Sequence, residues 1–295
     1  MRRSVLSVPG HIAKMHLKAS ASGADVVMLD LEDSVPLSEK RSARLQVVES
    51  INSLDWGNKF LSIRINRPGD RFAYRDIVEI IPFCSDKLDS IVIPKVSSAA
   101  DIHFVEKLLN SLEDEYSLKN RIFLEPSIED ALGLENVSEI AAASERNITL
   151  VFGIADFSSS IGAKFISISG HGENEDTYPG HRWQFVLSSM VVAAKARNLA
   201  VIDAPYGNFS DAQGLRKSAE LAAALGVDGK WAIHPAQIEI INAVFSPSPQ
   251  EIERAKRVLD AYENALKEGK GAVELDGRMI DNATIRLAKI TLNKI

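Results

Sequence analysis

The chain has 295 residues, 45% of them hydrophobic and 25% charged, with a formal net charge of −6. That is enough apolar material for a large core, arranged as two ordinary domains or as one barrel of about 250 residues with an extension. The acidic balance excludes a nucleic-acid binder that relies on a global positive field, and no apolar run approaches the roughly 18 residues of a membrane span.

The N-terminus has basic residues and a short apolar stretch, but Pro9 and His11 interrupt it too early for a signal-peptide core. Candidate strands then follow at Ser4–Val8, Val26–Leu31, Phe60–Ile65, Ser90–Pro94, Arg121–Glu125, Thr149–Gly153, Ala200–Ile202 and Gly229–Ile233. They are continuous apolar runs, as in VVMLDL and TLVFGI, which is the pattern of strands buried on both faces. Helical sequence follows each one. Ser98–Leu112 repeats apolar residues at helical spacing behind an N-cap at Ser97 or Ser98. Leu215–Leu225 reads the same way. Pro249–Lys267 begins with Ser248 and Glu251 at capping-box spacing. A short extended piece, Ala272–Leu275, leads to a last helix from about Asn282.

Eight βα units within about 240 residues predict an α/β fold, a (β/α)₈ TIM barrel, with a doubly wound sheet as the rival. The barrel is expected over 1–246 and a C-terminal helical lid extension over 247–295. The irregular stretch Phe165–His181 is long enough to expect a functional or mobile loop. Cys84, the single cysteine, excludes a disulfide framework, fits a reducing cytoplasm and lacks a basic neighbour that would activate it.

In such a barrel the chemistry gathers where strands end. The candidate strands end on Glu32 and Asp33, on Arg64, on Lys95, on Glu125 and on Asp156. One acid after a strand is usually a helix cap. Four acids around an arginine instead suggest a cation held by oxygen donors, which means Mg²⁺ or Mn²⁺. The six histidines form no HExxH and no i,i+4 pair, so zinc is not expected. His103 reads as a surface residue and His234 as structural. Arg2, Arg3, Lys14 and Lys18 form a basic cluster that is either a solvated face or a phosphate site.

Together SVPGHIAKM, GADVVMLDLEDSVP, RIN, IVIPKV, FLEPSIEDALGL, VFGIADF, GKWAIHP and LDGRMID resemble the HpcH/HpaI aldolase and citrate lyase β-subunit-like family. ISGHG, YPGHRW and IDAPYGNFSD narrow the resemblance to its malyl-CoA lyase branch. The resemblance covers nearly the whole chain. It implies Mg²⁺, with Mn²⁺ as a substitute, an acyl-CoA thioester with a 2-oxo acid (glyoxylate or pyruvate), and a homotrimer or homohexamer. The implied activity is a carbon–carbon lyase reversibly cleaving a 3-hydroxyacyl-CoA such as L-malyl-CoA to acetyl-CoA and glyoxylate. Citramalyl-CoA or citryl-CoA cleavage, thioester hydrolysis and a non-catalytic CoA-binding assembly subunit are the alternatives.

Residue by residue, Glu125 and Asp156 match metal ligands, and Glu32 and Asp33 match acids that hold metal-bound waters. Arg64 matches a thioester-carbonyl contact, and Asp281 an acid delivered by a neighbouring subunit's lid. Arg3 and Lys14 match positions near the CoA phosphates. Ala155, where many relatives carry an acid, matches a backbone contact to a substrate carboxylate. Lys95 is expected to be an ion-pair partner rather than a nucleophile. Arg67 departs from the common proline of relatives.

Overall fold

The eight apolar runs form eight parallel strands: β1 (Ser4–Pro9), β2 (Val26–Asp30), β3 (Phe60–Arg64), β4 (Ser90–Ile93), β5 (Phe123–Ile128), β6 (Thr149–Phe152), β7 (Ala200–Asp203) and β8 (Gly229–Ala232). They close in sequence order, β8 pairing back onto β1 through Ser4↔Lys230 and Val5↔Trp231. The computed structural model describes residues 1–84, 86–163, 182–267, 269 and 271–293. The fold is the (β/α)₈ barrel that the spacing predicts, and the doubly wound alternative is excluded by closure. The expected loop at Phe165–His181 lies outside the described residues, as do His171 and His181.

Between the strands run α1 (Ala13–Ser20), α2 (Lys40–Ser53), α3 (Ala73–Cys84), α4 (Ala99–Glu115), α5 (Ala131–Glu135), α6 (Val137–Ala142), α7 (Ile154–Ser160), α8 (Gln184–Lys195) and α9 (Ala212–Ala224), and α10 (Ile238–Phe245) follows β8. Ser98 and Asp101 form the capping box of α4. Inside the barrel Val5, Val26, Met28, Val92, Val151, Ile202 and Trp231 make the apolar middle layer, with Phe60 against it. Beneath that layer Arg2 lies 4.2 Å over the Phe60 ring, and its Nη2 is 2.5 Å from Glu125 Oε1. Glu125 also accepts the hydroxyls of Ser62 and Ser90. A second buried pair, Lys230 Nζ to Asp203 Oδ2 at 2.5 Å, links β8 to β7.

β5 lies further along the chain than the sequence suggests. Pro126 reads as a strand end because it has no N–H to give to a ladder. The strand absorbs it at a slip in its pairing with β6. A bridge joins Leu124 to Asn147, and pairing resumes at Ser127↔Val151. Residues 148–150 thus face only residues 125 and 126 there, so no β6 partner requires the missing N–H.

His16, on α1, is fully buried. Its Nε2 donates to the Pro9 carbonyl at 3.0 Å, which leaves Nδ1 to accept from the Ser50 hydroxyl at 2.7 Å. The neutral ring therefore satisfies both nitrogens, tying the end of β1 to α2.

Residues 2–242 form one compact unit; residues 243–295, with Met1, form a second. In the second, α11 (Pro249–Lys267) and α12 (Asn282–Leu292) pack Ala255, Val258, Tyr262, Ile280, Ile285 and Ala288 together. The capping box is present, Glu251 accepting from the Ser248 N–H at 2.7 Å and hydroxyl at 2.8 Å. The piece expected as one extended segment is a hairpin, β9 (Val273–Leu275) with β10 (Arg278–Ile280). Asp276 and Gly277 turn it at φ 52° and 73°, the left-handed geometry that an Asp-Gly pair favours.

Burial lowers the His16 pKa from its ordinary 6.5, opposed by the Pro9 carbonyl. Above the ordinary value His16 is neutral in both states. As pH falls through the window below it, the unfolded chain takes up a proton that the native ring resists, and stability is lost. His16→Gln should flatten this part of the stability profile between about pH 7.5 and 5, measured by urea unfolding.

Candidate active site

Asp30, at the end of β2, organises the mouth. It is fully buried and takes Arg64 in a two-point ion pair, Nε to Oδ1 at 2.6 Å and Nη2 to Oδ2 at 2.7 Å. The Glu32 N–H and the Ser34 N–H and hydroxyl also donate to it. Burial opposes its charge, but Arg64 and these donors hold the carboxyl below its ordinary range. Lys40 fixes the following turn, donating to the Leu31 and Glu32 carbonyls, each at 2.6 Å. Behind Arg64, Asp76 accepts the Asn66 N–H at 2.8 Å and its side-chain amide at 2.6 Å.

Arg64 reaches from this anchor to the mouth acids, its Nη1 2.9 Å from Glu32 Oε2 and 3.8 Å from Asp33 Oδ2. Lys95 Nζ lies 2.8 Å from Glu32 Oε1, 3.3 Å from Asp33 Oδ1 and 3.6 Å from Asp156 Oδ2. The expected ion-pair role of Lys95 is what the geometry displays. Burial pushes the Glu32 carboxyl up to about 7, against the pull of Arg64 and Lys95.

Glu129 completes this group and went unmarked in the sequence. It is one residue past β5, 3% exposed, and its Oε1 is buried without a hydrogen-bond donor. Burial raises its pKa, and the nearby Asp156 charge adds to the rise while Arg64 and Lys95 oppose it. Gly153 makes room for it: a Cβ there would fall 2.4 Å from Glu129 Cγ. Asp156 lies in the first turn of α7 with its side chain 47% exposed. Phe157 holds that helix in place through edge contacts with Phe152 at 5.6 Å and Trp183 at 5.8 Å.

The structure brings Glu32, Asp33, Arg64, Ala155 and Asp156 to one mouth and moves two expected residues away from it. Glu125 is 1% exposed at the barrel floor, where Arg2, Ser62 and Ser90 occupy it. It cannot ligate a cation beside Asp156. The position on β5 that reaches the mouth belongs to Glu129, four residues on and on the same face of a strand with period two. Arg3 also lies at the wrong end for a mouth ligand. It precedes β1 and grips Asp25, which precedes β2, with Nε to Oδ2 at 2.8 Å and Nη2 to Oδ1 at 2.7 Å. Lys14 is exposed in the first turn of α1, after the C-terminal end of β1. Asp281 caps α12, accepting the Ala283 and Thr284 N–H groups at 2.9 and 3.0 Å. His234 is structural: Nδ1 accepts the Ala236 N–H at 3.2 Å, and the ring stacks on Phe209 at 4.9 Å. Cys84 is buried, and burial pushes its thiol up to about 12.

A cavity of about 220 Å³ opens among Arg64, Glu129, Asp156, Trp231 and Ile233. A larger hollow of about 700 Å³ lies within the C-terminal unit, lined by Arg254, Arg257, Arg278 and Met279 among others. The smaller one is lined by Asp33, Glu129 and Asp156 together with Arg64. Among the described residues no three His, Cys, Asp or Glu side chains form a closed metal cage. Mg²⁺ takes one or two carboxylates and keeps its other positions for water and substrate oxygens. The donorless Glu129 Oε1 beside Asp156 is the fitting partner for such an ion.

Residues 3–235 match the HpcH/HpaI aldolase/citrate lyase family. An L-malyl-CoA/beta-methylmalyl-CoA lyase of Cereibacter sphaeroides is 40% identical over 99% of this chain and 94% of its own. A (3S)-malyl-CoA thioesterase from the same species is 36% identical over the same shares. Among solved structures, CitE of Mycobacterium tuberculosis in complex with magnesium, acetoacetate and coenzyme A superposes with a TM-score of 0.77 at 27% identity, covering 99% of this chain and 97% of that one.

The two glutamates of β5 and its end should separate in unfolding experiments with EDTA present. Glu125→Gln leaves the buried Arg2 without its counter-charge and should lose about 3 kcal/mol. Glu129→Gln removes a buried charge whose Oε1 lacks a donor and should leave metal-free stability unchanged or higher. Equal losses would contradict this assignment of floor and mouth.

Proposed function

The chain belongs to the HpcH/HpaI aldolase/citrate lyase family, and on that premise we propose that it is a Mg²⁺-dependent carbon–carbon lyase. Its substrate is a 3-hydroxyacyl-CoA of the malyl-CoA kind, cleaved reversibly to a short acyl-CoA and a 2-oxo acid. The observation that carries this reading is the meeting of Arg64, Glu129 and Asp156 around one small cavity. Glu129 and Asp156 would hold the cation, with Glu32 and Asp33 beside it for bound waters. The cation supplies Lewis acidity, polarising the substrate's hydroxyl and carboxylate oxygens. Mn²⁺ can take its place, since the donors are all oxygen.

Cleavage breaks the bond between the hydroxyl-bearing carbon and the carbon next to the thioester. The hydroxyl gives up its proton to solvent as its carbon becomes the carbonyl of the oxo acid, and the electron pair of the broken bond passes into the thioester as an enolate. Arg64 serves the oxygen where that charge grows. Its anchoring to Asp30 uses only part of its five N–H donors, and its orientation is fixed before the reaction begins. A carboxylic acid must then protonate the enolate carbon. We assign that proton to Asp281, carried by the 247–295 lid of a neighbouring copy in a trimer or hexamer. In condensation the same carboxylate removes the proton. Ala155 offers a backbone N–H to the substrate carboxylate, and Lys14 meets the CoA phosphates. The buried lone thiol fits a reducing cytoplasm. Among the described residues no helix is long and apolar enough to cross a membrane.

A panel of malyl-, β-methylmalyl-, citramalyl- and citryl-CoA with Mg²⁺ tests the proposal through release of glyoxylate, pyruvate or, from citryl-CoA, oxaloacetate. The thioesterase relative makes free CoA the second readout. We expect oxo-acid release that EDTA abolishes; CoA release without oxo acid would replace the lyase reading with hydrolysis. Glu129→Gln and Asp156→Asn should each abolish cleavage while the far-ultraviolet circular dichroism stays native. Asp281→Asn should lower kcat by about 10²–10³, the usual loss for one transition-state contact, with a smaller change in KM. Unchanged turnover would remove Asp281 from the chemistry.

A further inference from the structure

Lys95 stands out on two independent grounds. Its backbone is left-handed, at φ 52°. For a residue with a Cβ this geometry is strained, and such strain persists where surrounding structure imposes it. Here β4 stops at Ile93, and Val96, two residues beyond Pro94, already donates its N–H to the Ser127 carbonyl of β5 at 3.1 Å. The chain must reverse within that space, and the turn carries the Lys95 side chain over the mouth. The second ground is charge. The ammonium contacts three acids from two walls, Glu32 and Asp33 after β2 and Asp156 after β6. Burial opposes its charge, yet these acids raise its pKa, so the group is cationic.

We propose that Lys95 is a positioning residue whose ammonium is the resident counter-cation of the mouth, holding its acids in place and setting how tightly a divalent cation binds. This inference rests on the reading of the mouth as a metal site. The Nζ is 3.6 Å from Asp156 Oδ2, close enough for a divalent ion on Asp156 to feel its repulsion. Without the ammonium, Glu32, Asp33, Glu129 and Asp156 would face Arg64 alone. The empty mouth would then be strained by like charges and more attractive to a divalent ion. Lys95 therefore lowers metal affinity and stabilises the metal-free state.

The test is Mn²⁺ binding without substrate, followed by electron paramagnetic resonance, for wild type, Lys95→Met and Lys95→Asn. Methionine keeps the length without the charge, and asparagine tolerates the left-handed backbone. Both variants should bind Mn²⁺ about tenfold more tightly. Both should melt at a lower temperature in EDTA and gain more from added Mn²⁺ than wild type does. Unchanged or weaker binding by the variants, with Mn²⁺ bound to wild type, overturns the role of Lys95 and leaves the metal site standing. Absence of Mn²⁺ binding to wild type overturns the metal site and this inference together.

Discussion

Like-charge repulsion at the barrel mouth is the constraint on which the rest of the site depends. Asp30, Glu32, Asp33, Glu129 and Asp156 gather there, against Arg64 and Lys95. Each acid meets the excess differently. Asp30 gives up both oxygens to Arg64 and stays ionised. Glu32 and Glu129 are pushed toward the protonated form by burial. Asp33 and Asp156 keep contact with water. A site arranged this way is pre-organised around a positive charge, with its arginine oriented by a fully buried carboxylate.

The positions of the strands were legible because a strand covered on both faces must be apolar throughout, and eight such runs leave few topologies. The mouth was legible because polar residues replace apolar ones where each strand stops. Glu125 was misread for a specific reason: a proline next to it imitates a strand end, and nothing local in the sequence announces the slip against β6 that accommodates Pro126. The alternation of Glu125, Ser127 and Glu129 on one face held the signal. An acid at the last inward position of a strand reaches the mouth, and one four residues earlier reaches the floor. Gly153 was a second signal, since the close approach of Glu129 requires a glycine there. Arg3 was misread because a basic cluster in sequence need not be one in space. The residues just before β1 lie at the opposite end of the barrel from those just after it.

The same polar vocabulary thus performs two tasks at the two ends of one cylinder. At the floor, Glu125 is taken up by the hydroxyls of Ser62 and Ser90 and by the charge of Arg2. At the mouth, Glu129 is left with an oxygen that no donor claims. Burial alone does not separate them, since Glu125 and Glu129 are both nearly inaccessible. What distinguishes them is whether the protein itself completes their hydrogen bonding.

The floor also bears on how the polypeptide reaches its native state. Arg2 finds its counter-charge in β5, and β1 finds its second neighbour only in β8. During vectorial synthesis the first strand leaves the ribosome with one edge that stays open until more than two hundred further residues have followed. Closure of the ring is therefore a late, long-range event, and loop-closure entropy makes such contacts slow to form. Until then the exposed edge of β1 is a template for pairing with other nascent chains, a hazard that the mature cylinder no longer carries.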